Sequence, residues 1–279
     1  MTSAIELLEQ HTAEREAFMA HIGGVLRADD RVVAAGVTSS VARGDTDGLT
    51  DLDVLVIVSD EHIGDFVPAR VRELERFGEL VWVQEVVGNA PPGGSYLGAG
   101  FTGIGYPQCT DFCWQPLSLA AFPTPTLVLV EKQPVPRTAL ESITDIVMAG
   151  RADHAPPPQS PDLIPSDPTA ALWTFKLAMF WRMSGVAAGS LARGRLAGAE
   201  WVMANTLTSV LEEITGERVP LGDEAGFVRL RALCAHAESL VEHARSIGAM
   251  IPDDRSWVTD TIDFMERLVD EGWRSPKTS

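Results

Sequence analysis

The 279-residue sequence predicts an α+β protein, with a mixed β-sheet in its N-terminal half and a helical bundle in its C-terminal half. Three observations carry that expectation. Short β-branched runs bounded by turn residues crowd positions 31–130. Apolar residues recur at helical spacing almost everywhere beyond position 168. Between the two lies a stretch, 151–166, with five prolines and no apolar period. The expected divisions are a sheet domain over 1–150, a Pro-rich linker over 151–168 and a helical accessory domain over 169–279.

Residues 3–27 read as an opening helix, because Phe18, Ile22 and Val25 share one face among Glu, Gln and Arg. Arg31–Val37 and Asp51–Val58 read as neighbouring strands joined by a polar, Gly-containing turn. Val67, Val71 and Leu74 mark a helix that Gly78 ends. Leu80–Val86, Phe101–Tyr106, Thr110–Gln115 and Thr126–Val130 predict further strands, with a Gly- and Pro-rich loop over 90–100. Thr138 and Glu141 have the spacing of a capping box, opening a helix that Gly150 should close. Asp167 before Pro168 pairs an N-cap with a first-turn proline. Helical periods then run through Leu207–Ile214, Phe227–Val241 and Val258–Trp273. Trp173, Phe175, Phe180 and Trp181 cluster on an apolar helix and read as core.

Charge limits the partners. Lys and Arg number 22 against 39 Asp and Glu, a formal charge of -17, and residues 1–150 hold 9 of the basic and 21 of the acidic groups. Such a field repels a nucleic-acid backbone, and the three lysines, Lys132, Lys176 and Lys277, form no cluster. Three cysteines make no disulfide framework, which fits a reducing cytoplasm. The opening MTSAIELLEQ lacks the pattern of a signal peptide, and the apolar run Ala171–Trp181, broken by Lys176, is too short for a bilayer. A cytoplasmic protein without membrane or nucleic-acid partners is therefore expected.

The chemistry concentrates in Gly36–Val54, GVTSSVARGDTDGLTDLDV. Asp51 and Asp53 lie two apart on an expected strand, so both carboxylates share one face. Paired hard oxygens suit Mg2+, whose shell phosphate and water complete. The small-residue turn Ser39-Ser40-Val41-Ala42-Arg43-Gly44 just after a strand offers amides, a hydroxyl and a cation to a polyphosphate.

These residues resemble the Gly-Ser-x-Ala-Arg-Gly and Ser-Asp-h-Asp signature of nucleotidyltransferases of the DNA polymerase beta superfamily, bacterial aminoglycoside and other antibiotic nucleotidyltransferases in particular. The resemblance is strong over 36–54, weaker at 106–116, and extends to the helical half over 169–215. It implies that Ser40, with Ser39 and Arg43, binds the nucleoside triphosphate, and that Asp51 and Asp53 bind Mg2+. It also implies a third carboxylate, a further metal ligand or general base, for which Asp111 in CTDFCWQP is the match and Glu85 in VWVQEVV the competitor. Lys176 or Arg193 would reach the phosphates from the helical half. The sequence departs from the signature at Ser39, where the family has Gly, and at Thr50, where it has Ser.

The activity so implied is Mg-dependent transfer of a nucleoside monophosphate, AMP from ATP in the first instance, to a hydroxyl of a small molecule such as an aminoglycoside-like antibiotic, releasing pyrophosphate. An acidic N-terminal half suits a polycationic acceptor. Two alternatives stay open: a catalytically degenerate nucleotide-binding or regulatory module, and a nucleotidyltransferase acting on a protein side chain. The acceptor, the base of the nucleotide and the oligomeric state stay open with them.

Overall fold

The computed structural model describes residues 2–142, 144–145, 159–219 and 224–276. The architecture is α+β, a mixed six-stranded sheet in the N-terminal half and helices in the C-terminal half. Two compact units result: Gln10–Gly103 with Pro107–Ser160, and Met1–Glu9 with Ile104–Tyr106 and Pro161–Ser279. Among the described residues no helix is long and apolar enough to cross a membrane.

The sheet unit takes most of helix α1 (Ala4–Ala28) and six strands, β1 (Val32–Val37), β2 (Leu52–Val58), β3 (Leu80–Glu85), β4 (Ser95–Phe101), β5 (Gln108–Pro116) and β6 (Leu127–Glu131). Their order is β3-β4-β5-β2-β1-β6, with β2 and β5 parallel and every other pair antiparallel. Short helices α2 (Ser39–Ala42), α3 (Ile63–Phe66) and α4 (Arg70–Leu74) fill the early connections.

One difference from the expected elements matters for the site. The stretch expected to loop over 90–100 contains β4, and the strand expected at Phe101–Tyr106 is mostly turn. The glycines of SYLGAGF hide its strand character, and one of them serves close packing: a Cβ on Gly100 would lie 2.0 Å from the Trp82 indole nitrogen. The helix expected from Thr138 also changes its cap, since Ser142 Oγ accepts the Asp145 amide at 3.1 Å. Its closure at Gly150 and the linker residues 151–158 lie outside the described residues.

Alternation divides the sheet into two apolar faces. On one, Phe101, Phe112 and Trp114 form a ladder of rings, with Phe18, Phe77 and Phe66 of the helical layer against it. On the other, Leu55, Ile57, Tyr96 and Cys113 pack with Ala90, Ala120, Phe122 and Val135. Truncating a ring as enclosed as Phe112 would cost about 3–5 kcal/mol.

The helical unit is organised around α5 (Pro168–Ala192), with α6 (Leu196–Val202), α7 (Ser209–Thr215), α8 (Gly226–Ser239), α9 (Val241–Ser246) and α10 (Ser256–Asp270). Asp167 caps α5 by accepting the Ala170 amide at 2.8 Å, and Pro168 occupies its first turn. Trp173, Phe180 and Trp181 are buried and Phe175 is half-buried, so three of the four aromatics expected in the core lie there.

Candidate functional site: a row of carboxylates on the sheet

The parallel pairing of β2 with β5 makes Asp53 and Asp111 register partners, as Leu52 is with Thr110 and Val54 with Phe112. Register partners on adjacent strands face the same side, so both carboxylates share one face of the sheet. Asp51, two residues before Asp53, is exposed just ahead of β2, while Asp53 and Asp111 are half-buried. Cys113 is the next residue of β5 on this face. Burial, and then the charges of Asp53 and Asp111, push its thiol well above the usual range, so both carboxylates act on one buried point.

The signature turn follows β1 directly. Thr38 donates its amide to the Asp53 carbonyl at 2.9 Å, which fixes the start of the turn beside the carboxylate pair. Ser39 then takes φ 57°, the left-handed region, and opens α2. Ser39 and Ser40 are half-buried and Arg43 is exposed. Ser39 thus holds a backbone conformation that favours glycine while carrying a side chain, at a steric cost of about 1–2 kcal/mol.

The rest of the loop is locked by groups the sequence reading did not single out. Asp47 Oδ1 accepts from the Thr50 hydroxyl at 3.1 Å and the Leu49 amide at 3.0 Å, and the Asp47 amide donates to Thr50 Oγ1 at 2.8 Å. The buried Arg15 of α1 donates to the carbonyls of Asp47 at 3.0 Å and Thr50 at 2.8 Å. Thr50 therefore supplies the hydroxyl that closes this turn immediately before Asp51. A cavity of about 140 Å³ lies between α1 and this loop, lined by Arg15, Met19, Val41, Gly44 and Leu52 among others.

Tyr96 is the second group that sequence reasoning missed. Its hydroxyl donates to Asp111 Oδ2 at 2.5 Å. The signal was faint, a lone tyrosine in a glycine-rich segment.

Among the other candidates, Glu85 is committed to a buried ion pair. Glu85 pairs with Leu97, which pairs with Phe112, so it faces the opposite side from Asp111. There its Oε1 accepts from Arg70 Nε at 2.6 Å and its Oε2 from the Ser160 amide at 2.7 Å, with both charged side chains almost fully buried. The geometry makes Glu85 a structural counter-ion rather than a base for the carboxylate row. Lys176, in the helical unit, is 2.5 Å from Glu213. Arg193 terminates α5, its amide bonded to the Gly189 carbonyl at 3.1 Å. A cavity of about 510 Å³ in the helical unit is lined by Trp181, Cys234, Arg231 and Arg255 among others and by none of the expected site residues. Its two guanidinium groups are already neutralised, Arg255 by Glu238 and Arg231 by Asp263 and Glu266.

Among the described residues no group of three or more His, Cys, Asp or Glu is gathered to hold a metal ion by itself. The donor set fits Mg2+ in another way. That ion commonly takes one or two carboxylates and completes its octahedron with water and substrate phosphate. Neighbouring carboxylates beside a turn of backbone amides match that division of ligands. No model of a known protein family matches the sequence, and no curated protein matches it.

Proposed function

We propose that the protein is a Mg2+-dependent nucleotidyltransferase, moving a nucleoside monophosphate from a triphosphate, ATP first among them, to a hydroxyl of a small acceptor. One observation carries the reading: Asp53 and Asp111 are register partners on parallel strands, with Asp51 at the exposed start of the same strand and the Ser39–Arg43 turn tied to the Asp53 backbone. Asp51 and Asp53, with Asp111 beside them, would hold Mg2+. When bound, the ion supplies Lewis-acid neutralisation of phosphate charge.

The residues of the chain do the rest. Ser39, Ser40 and Arg43 hold and orient the triphosphate. Asp111 accepts the proton of the acceptor hydroxyl, whose oxygen forms a bond to the α-phosphorus. The bond from that phosphorus to the bridging oxygen breaks, and pyrophosphate departs with the electron pair. A positioned base of this kind contributes about 10²- to 10⁴-fold. The formal charge of -17 favours a cationic acceptor, such as an aminoglycoside-like antibiotic.

A binding-only module is the second reading, favoured by Ser39 at φ 57° and by the lack, among the described residues, of a preassembled three-carboxylate group. Calorimetric titration with a non-hydrolysable ATP analogue and Mg2+, followed by pyrophosphate release in a screen of hydroxylated cationic acceptors, tests both. Mg2+-dependent binding with turnover supports the transferase, and binding without turnover across the screen supports the module. Absence of any nucleotide binding sinks both.

A further inference from the structure

We infer that Tyr96 is a positioning residue for the carboxylate row, setting the orientation in which Asp111 meets the cation beside Asp53. This rests on the proposed cation site and adds to it a part that no signature residue supplies.

The argument starts with the neighbours of Asp111 across the sheet. Asp53 flanks it on β2 and Gly98 on β4. Glycine puts no side chain beside the carboxylate. The next residue of β4 on the same face is Tyr96, the register partner of Cys113. A diagonal neighbour in a sheet is within reach of an aromatic side chain. The phenol hydroxyl reaches Asp111 Oδ2 at 2.5 Å.

The direction of this bond is fixed, because an ionised carboxylate only accepts. Hydrogen bonds to a carboxylate are short and about twice as strong as neutral ones. The donor is itself held: Tyr96 is 8% exposed and packs with Leu55, Cys113 and Phe122. Its ring cannot turn away without opening that core. Asp111 is only half-buried, so a bond that orders its carboxylate in advance lowers the entropy cost of cation loading. Outer-shell hydrogen bonds of this type are typically worth 10- to 100-fold in metal affinity.

The chain has two tyrosines, Tyr96 and Tyr106, so 3-fluorotyrosine labelling yields a two-line 19F spectrum that Tyr106→Phe assigns. Labelled protein is titrated with Mg2+ alone, and calorimetry compares the Mg2+ affinity of the unlabelled native chain, Tyr96→Phe and Asp53→Asn. The expected result is that Mg2+ moves the Tyr96 line, that Asp53→Asn abolishes this movement, and that Tyr96→Phe weakens Mg2+ about tenfold while its melting temperature changes little. Asp53-dependent Mg2+ binding with a stationary Tyr96 line and undiminished affinity in Tyr96→Phe would overturn the role of Tyr96 and leave the cation site standing. No Asp53-dependent Mg2+ binding in the native chain would overturn both. The 19F readout keeps the phenol hydroxyl at position 96, so it decides the matter even if Tyr96→Phe folds poorly.

Discussion

Asp53 and Asp111 occupy matching positions on β2 and β5, the one parallel pair in an otherwise antiparallel sheet. Parallel pairing aligns side chains of like face without a turn to connect them. Two acids far apart in sequence thereby become lateral neighbours. Asp51 lies exposed one residue ahead of β2.

Replacing Asp53 with Asn removes one charge and keeps the shape. Mg2+-dependent affinity for a non-hydrolysable ATP analogue should fall by more than about tenfold, since even an outer-shell partner of a metal is commonly worth that much. Calorimetry checks it. Equal affinity in both proteins would exclude Asp53 from the site.

Glu85 should behave in the opposite way. Glu85→Ala strips the counter-ion from Arg70, which is 2% exposed and cannot reach water. Breaking a buried ion pair by removing one partner costs about 3–5 kcal/mol, read as a lowered urea midpoint. Nucleotide affinity per folded molecule should not change. A variant of native stability that loses nucleotide binding would return Glu85 to the site.

These two acids show what the sequence could and could not convey. Alternation around Leu52 is local, so the expectation that Asp51 and Asp53 share a face is readable in four or five letters. The partnership of Asp53 with Asp111 depends on β5 crossing to lie beside β2, with β3 and β4 displaced outward, and no local pattern encodes that. Glu85 and Asp111 look alike in sequence, each a lone acid in an apolar strand. Their difference lies in which face the register gives them and in Arg70 arriving from α4. β4 is hidden because glycine, the residue that lets Trp82 pack closely, is also the commonest loop signal. Thr50 was legible only as a departure from a motif, since its role depends on Asp47 and on Arg15 of α1.

Acid sensitivity should centre on Asp29. Burial pushes its carboxyl up, but hydrogen bonds from Arg31 and Arg76 outweigh that and hold it well below its usual 3.8. Arg31 and Arg76 also bind Glu73, so α1, β1 and α4 meet at this cluster. A carboxyl with a depressed folded pKa contributes stability that is present above the unfolded value and lost as pH falls through the folded one. Stability should therefore drop with acidification from about pH 4 downward, and more steeply than in Asp29→Asn, which has no such proton to take up. Urea midpoints measured across that range give both slopes. Parallel slopes would show that the cluster does not govern acid unfolding.

Ser39 offers the sharpest separation of stability from function. At φ 57° a residue with a Cβ loses about 1–2 kcal/mol relative to the right-handed region, whereas glycine is at ease there. Glycine also loses more backbone entropy on folding, by about 0.5–1 kcal/mol. The balance for Ser39→Gly is a gain of about 0.5–1 kcal/mol, and a rise in melting temperature of about 1–4 °C. Ser39→Val should move the other way, because a β-branched side chain tolerates the left-handed region worst. The turn's amides stay where they are in Ser39→Gly, so nucleotide affinity should be kept or improved if the backbone does the binding, and reduced if the Ser39 hydroxyl does. Thermal unfolding and calorimetry on the same sample read the two effects independently, and a lower melting temperature in Ser39→Gly would show that the serine side chain holds the turn by contacts stronger than its backbone strain.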